Sequence, residues 1–320
     1  MQMTLEQIRL KQNPVLTNIL LGLGQGTMIA ERLFPRLPQA LSKVTFAKAG
    51  DERLRRYNLR RAPGATTKRV SIKYDGATYE VKQYAVDVPI PRELIRESEA
   101  AARFNLTANL DISRIAMVTA NDILALDYEI EVAGLATDAA HYAAGHVLNL
   151  TTGTKWSEDT GTPISDISDA MEVIRKKIGK RPNRLVLSAD AAHAIRHNTE
   201  TRGYLPSTQM GPASLDQLKS ILGLAEVVVG DAVWINDADI GADVWGNNAV
   251  LAYVPALSGS SGDISLAEPA FGFTNVIEGH PFAEQPRYDG DAKSWIYGAT
   301  YERQANIAYN QAAFLFTNCK

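Results

Sequence analysis

Apolar positions change their spacing along this chain, and each spacing predicts a different element. Residues 1 to 45 hold no sustained period. Short apolar runs are cut by Pro14, Gly22, Gly24, Gly26, Pro35 and Pro38, so the segment buries little by itself. It is expected to lie as an arm against something else, a neighbouring subunit included. From 46 to about 88 the period is two. Val70, Ile72 and Tyr74 alternate before Asp75-Gly76, and Tyr79 and Val81 alternate after it. Asp-Gly supplies the positive φ of a two-residue turn, so a long protruding β-hairpin is predicted with its turn there. Few large apolar residues line it, and its stability must come from other parts or other chains.

A helical period runs from 92 to about 132. Pro91 suits a first helical turn, and Ile112, Ile115, Ala116, Thr119, Ile123, Leu126, Ile130 and Ala133 recur at spacings of three and four, predicting one buried stripe. The stretch 105 to 109 is expected to bend it. From 110 to 132 alone such a helix runs roughly 35 Å, enough to brace a domain. The middle of the chain reads as mixed helix and strand. Ser165, Ser188 and Ser214 are placed as caps of three short helices, with Gly179 and Gly223 as stops of the first and third. Strands are expected at 184–187, 227–229, 233–235 and 249–254. The last fifty residues alternate in strand fashion, notably Trp295-Ile296-Tyr297 and Phe314-Leu315-Phe316. The fold class is α+β.

Composition narrows the function. The 320 residues are 45% hydrophobic and 22% charged, enough for one large core or two modest ones. With 33 Lys plus Arg against 36 Asp plus Glu, affinity for nucleic acid through phosphate neutralisation is not the chain's general character. The one cysteine, Cys319, allows neither an internal disulfide nor a Cys-rich zinc site, and its place near an end predicts an accessible thiol. The opening residues have an early acid and no unbroken apolar stretch, unlike a secretory signal. No stretch reaches the roughly 18 apolar residues of a membrane span.

Three motifs invite chemistry and each fails a requirement. Gly22-Leu23-Gly24-Gln25-Gly26 lacks the preceding strand and the spacing of a phosphate loop. His193 and His197 are four apart on a helix, but the Glu of a zinc-protease motif is absent, and they read as a solvated or capping pair. Asp237, Asp239 and Asp243 surround Gly241 like part of a calcium loop, yet the twelfth position is Asn248, and a polar turn is the better reading. No serine nucleophile elbow is present. An enzyme is the alternative favoured only by the mixed middle region; no catalytic residue, cofactor or metal is assigned.

The succession of segments resembles one family. Ile29-Ala30-Glu31-Arg32-Leu33-Phe34-Pro35, Arg61-Ala62-Pro63-Gly64, and Tyr84-Ala85-Val86-Asp87-Val88-Pro89-Ile90-Pro91 ahead of a long helix are similar to stretches of the HK97-like capsid proteins of tailed bacteriophages. So are Trp156 with Gly161-Thr162-Pro163-Ile164-Ser165-Asp166-Ile167, Lys180-Arg181-Pro182-Asn183-Arg184-Leu185-Val186-Leu187-Ser188, and Val244-Trp245-Gly246-Asn247-Asn248-Ala249-Val250-Leu251. The resemblance implies an HK97-like capsid fold: an N-terminal arm (1–45), an extended E-loop hairpin (46–90), a P domain with its spine helix (91–164), an A domain (165–270) and C-terminal strands completing the P-domain sheet (271–320). It implies a subunit that assembles in the host cytoplasm into hexamers and pentamers, and a virion shell around double-stranded DNA bound without sequence specificity. Since only about 45 residues precede the hairpin, a separate scaffolding protein is expected rather than a fused one; a portal protein and a decoration protein are the other implied partners, and no membrane. An encapsulin-type nanocompartment is the rival within the fold, differing in cargo. Lys68, Lys73 and Lys82 read as surface lysines rather than crosslinking ones.

Charge suggests how such subunits meet. Between 48 and 73, nine bases stand against two acids, a net of +7; between 93 and 131, eight acids stand against three bases, a net of −5. The expectation is that Arg55, Arg56, Arg60 and Arg61 seat on the helix carrying Glu93, Glu97 and Glu99 in the adjacent subunit.

Overall fold

Two sheets share one long helix. The computed structural model describes residues 28–49, 54–63, 66–70, 74–103, 112–206, 211–236, 238–255 and 269–320. The chain enters through α1 (Ala30–Leu33) and β1 (Arg36–Gln39), then β2 (Lys43–Ala49), β3 (Tyr74–Glu80) and β4 (Lys82–Pro91). Helices α2 (Arg92–Arg103) and α3 (Ile112–Thr137) precede β5 (Val147–Asn149). Next come α4 (Pro163–Ile178), β6 (Arg184–Ser188), α5 (Ala189–His197), α6 (Thr199–Gly203), α7 (Leu215–Leu222) and β7 (Glu226–Gly230). Strands β8 (Val233–Ile235), β9 (Gly241–Asp243), β10 (Asn248–Ala252), β11 (Gly272–Ile277), β12 (Phe282–Ala283), β13 (Arg287–Asp289), β14 (Ser294–Ile307) and β15 (Ala313–Thr317) complete it.

The first sheet is built on β14. One edge pairs with β4 from Ser294↔Pro91 to Arg303↔Lys82, and the other pairs in turn with β13, β12 and β11. Alternation along β14 sends Tyr297, Ala299 and Tyr301 into the same cluster as Ala116, Met117, Ala120 and Leu124 of α3. The predicted α3 stripe is therefore rotated. Ile115, Ile123 and Ile130 are 48%, 47% and 40% exposed, while Met117, Ala120, Leu124, Tyr128, Val132 and Ala136 are inward. Of the predicted stripe Ala116 and Ala133 are buried, whereas these three isoleucines face outward, because alanines let a helix approach a sheet closely. The larger isoleucines stay outside.

The hairpin forms, but not at the predicted turn. Asp75 and Gly76 lie inside β3, opposite Lys48 and Ala47, in a ladder from Lys43↔Glu80 to Ala49↔Tyr74. A local turn signal has lost to a seven-residue pairing with an upstream strand. Ile72, expected in the ladder, lies outside the described residues.

The arm also differs from expectation. Residues 1–27, including the glycine run, lie outside the described residues. The remainder, expected to bury little on its own, packs into the core of its own chain. Leu33 and Phe34 are fully buried, β1 pairs in parallel with β11, and the Phe34 ring meets Phe271 edge-on at 5.5 Å. Truncating Leu33 to Ala would cost about 2–5 kcal/mol.

The second sheet runs β5-β15-β10-β6-β7. Its β6, β10 and β15 bury Leu185, Leu187, Val250, Leu251, Leu315 and Phe316 in one core with Ile167 and Ile174 of α4. The C-terminal strand β15 thus belongs here and not to the first sheet, as parallel pairing with β5 and antiparallel pairing with β10 require. Ser188 and Ser214 cap α5 and α7, and Gly179 and Gly223 end their helices in the left-handed region. Ser165 is not a cap. α4 starts at Pro163, and its Ile164 N–H donates to Glu200 of α6 at 2.8 Å. Cys319 is buried rather than accessible: its carbonyl accepts from Trp156 N, its amide donates to Asn247, and burial pushes its thiol far up. Strands β8 and β9 form a separate two-stranded sheet whose Val233, Trp234 and Ile235 are exposed.

Candidate functional site

A fully buried carboxylate ties the parts together. Glu129 on α3 accepts N–H bonds from Ile29 at 3.0 and 3.1 Å, from Ala30 at 2.8 Å, and from the Trp245 indole at 2.6 Å. It thus caps α1 from a distance of about a hundred residues in sequence and links the arm, the spine helix and the segment entering β10. Burial pushes its carboxyl above the usual carboxylate range, with the N–H donors pulling against that.

A second buried group fixes α3 to the sheet. The Arg303 side chain is fully enclosed; it donates to Asp127 at 2.6 Å and to Glu131, and its guanidinium lies 4.1 Å from the Tyr84 ring and 4.8 Å from the Tyr128 ring. Burial lowers its pKa, with Asp127 opposing. Both groups were readable as anomalies. Glu129 sits at the spacing of Val132 and Ala133, and Arg303 at an inward position between Tyr301 and Ala305 of an alternating strand.

The residues expected at a subunit contact lie on the surface. Arg55, Arg56, Arg60 and Arg61 are exposed, in a stretch without regular structure that also exposes Leu54 and Leu59. Glu93 and Glu97 are exposed on α2, and Glu93 already pairs with Arg92 at 3.1 Å; Glu99 is on the same helix. Among the described residues no ion pair joins these arginines to these glutamates within the chain. The acidic surplus of the helical region shrinks, because Asp127, Glu129 and Glu131 serve Arg303, Trp245 and the arm. With those three set aside, five acids stand against three bases, a net of −2.

The remaining motifs stay surface features. His193 and His197 are exposed and stacked on α5. Asp239 and Asp243 are exposed around the β8–β9 turn, while Asp237 lies outside the described residues. Lys68 and Lys82 are exposed; Lys73 lies outside. Among the described residues there is no group of three or more His, Cys, Asp or Glu arranged for a metal, and no helix is long and apolar enough to cross a membrane.

No protein-family model matches the chain. In sequence it is similar to the major capsid protein of Burkholderia phage BcepMu, 29% identical over 278 residues, 87% of each chain. In structure it is similar to a phage-related protein from Bordetella bronchiseptica, with TM-score 0.76, 34% identity and 97% of both chains covered. An encapsulin from Synechococcus elongatus shares the fold at TM-score 0.54 and 13% identity, covering 90% of this chain and 85% of that one.

Proposed function

This chain belongs to the HK97-like major capsid proteins of tailed phages, and from that premise we propose that its copies ring into hexamers and pentamers and close an icosahedral shell around double-stranded DNA. It is a structural protein of the virion capsid, not an enzyme. Capsid proteins of this kind self-assemble into oligomeric shells. The observation that carries the reading is the extent of the sequence likeness to a phage capsid protein, 29% over 87% of both chains, where the encapsulin likeness is one of fold alone.

In this reading residues 1–45 are the arm, 46–90 the E-loop, 91–164 the P domain, 165–270 the A domain, and 271 to about 307 return to the P-domain sheet before β15 joins the A-domain sheet. A scaffolding protein and a portal protein are the partners this reading assigns to its assembly. The exposed apolar residues of the β8–β9 hairpin and the exposed isoleucines of α3 support such a role, since a subunit contact would cover them. Negative-stain microscopy and sedimentation of the purified chain should show closed shells or five- and six-membered rings. A homogeneous monomer or dimer under all conditions would overturn the proposal.

A further inference from the structure

We propose that His280 is a pH-sensitive latch: its neutral ring pins the turn between β11 and β12 to β14, and in acid it releases that turn. The edge of β14 that faces β11 and β12 has a gap. The β11 pairing ends at Val276↔Arg303 and the β12 pairing begins at Phe282↔Thr300, so among the described residues no strand partner meets Tyr301 or Glu302 on that edge. The turn between the two strands fills the gap. The His280 N–H donates to the Ile277 carbonyl at 3.1 Å, and Gly279 supplies a left-handed φ of 88°. The His280 ring then does what a strand carbonyl would do, because the Glu302 N–H donates to its Nδ1 at 3.1 Å. The side chain is 8% exposed, and the Phe282 ring meets it edge-on with centroids 4.7 Å apart.

A ring nitrogen that accepts a hydrogen bond carries no proton. Nε2 therefore holds the proton of the neutral ring, and a second proton has only Nδ1 to go to, where the Glu302 N–H already points. Two donors cannot share that line. Protonation breaks the bond and leaves a backbone N–H of β14 without its acceptor. The consequence reaches the arm, because the neighbouring Glu278 N–H donates to the Gln39 carbonyl at the end of β1 at 3.1 Å. The turn that His280 holds is also the turn that holds the end of the arm strand.

The charges around the ring set the direction. Glu302 on β14 faces it, with Oε1 4.0 Å from Nε2. Glu278 in the turn is exposed, and Glu284 beyond β12 is engaged by the Thr300 hydroxyl at 2.8 Å and by Arg287 at 3.4 Å. At this level β1 and β4 bring Gln39 and Gln83, neither of which titrates. Burial holds the His280 pKa below its ordinary 6.5, with Glu302 and the Thr300 backbone opposing. The stability that this contact contributes is thus present above the ordinary value and is lost as pH falls toward the lowered one.

The test is hydrogen exchange of the full-length, unassembled chain at about pH 8 and about pH 5, read by mass spectrometry and corrected for the intrinsic pH dependence of exchange. Protection across 278–283 and at Glu302 should fall about three- to tenfold in acid, the worth of one hydrogen bond. His280→Asn supplies an acceptor that does not titrate, so its protection should be the same at both pH values. His280→Ala should lack the protection at both, and Glu302→Gln, which removes the charge that favours a protonated ring, should move the loss to lower pH. Equal wild-type protection at both pH values would overturn the proposal. So would an acid loss in His280→Asn as large as in the wild type, or wild-type protection in His280→Ala.

Discussion

Glu129 accepts the indole N–H of Trp245 at 2.6 Å, across 116 positions of sequence, while its other oxygen holds the backbone of Ile29 and Ala30. A glutamine here keeps one acceptor oxygen but turns an amide toward groups that only donate. Glu129→Gln should therefore destabilise the chain by about 1–3 kcal/mol in thermal or denaturant unfolding. The pH dependence separates it from an ordinary core variant. With its folded-state pKa raised by burial, ionised Glu129 costs stability, so its contribution is greatest in acid and is lost as pH rises through the raised value. The stability difference between wild type and Glu129→Gln should shrink across that rise. A difference that grows with pH would show that the N–H donors outweigh burial.

Two glycines are predicted to behave oppositely. A Cβ at Gly230 would come within 2.3 Å of the buried Trp245 ring, and neither neighbour has room to move. Gly230→Ala should cost about 1–3 kcal/mol and shift the near-ultraviolet tryptophan signal. Gly134 is exposed on α3, and a methyl added there would meet nothing within 4 Å. Gly134→Ala should therefore gain up to about 1 kcal/mol. Equal effects at the two sites would contradict this packing.

Arg303 is the enclosed half of an ion triad whose acids reach the surface. Removing it leaves Asp127 and Glu131 facing the rings of Tyr84 and Tyr128 without a cation. Arg303→Met should lower stability by about 1–3 kcal/mol, as measured by denaturant unfolding, since the acids left behind reach water. A loss below about 1 kcal/mol, on the scale of a surface pair, would mean that the triad is solvated.

The parts legible in sequence were those governed by local chemistry. The serine caps at Ser188 and Ser214, the left-handed stops at Gly179 and Gly223, and the strands around Arg184–Ser188 and Asn248–Ala252 all depend on residues within a few positions of one another. What failed depended on distant partners. Asp75-Gly76 carries a turn signal that its pairing with Lys48 and Ala47 overrides. Ser165 yields its capping role to Glu200, from 35 residues away. Cys319 is buried because Trp156 and Asn247 bind the chain on either side of it. The acidic surplus of the helical region was overcounted, because a formal charge does not tell whether it faces water or a buried guanidinium.

The exposed stretch bearing Arg55, Arg56, Arg60 and Arg61 also exposes Leu54 and Leu59, while α2 exposes Glu93 and Glu97 beside Leu94, and α3 exposes Ile115, Ile123 and Ile130. Both surfaces thus mix apolar and charged groups of opposite sign, although the helical region's net charge falls to −2 once the three acids engaged by Arg303, Trp245 and the arm are discounted. Each exposed pair contributes only up to about 1 kcal/mol, but a shell repeats the contact at every subunit, and charge governs register and association rate more than affinity. Apolar burial supplies the remainder, so high salt should slow assembly without abolishing it. Changing Arg55, Arg56, Arg60 and Arg61 together to Glu places like charges against Glu93 and Glu97 in the neighbour. The altered chain should keep its circular dichroism spectrum and unfolding midpoint, since all four arginines are exposed, yet remain as free subunits in sedimentation and electron microscopy. Raising the ionic strength should partly restore assembly by screening the repulsion. Shells that form from the reversed chain at the wild-type rate in low salt would show that the basic stretch is solvated in the shell and that the apolar faces alone set the contact.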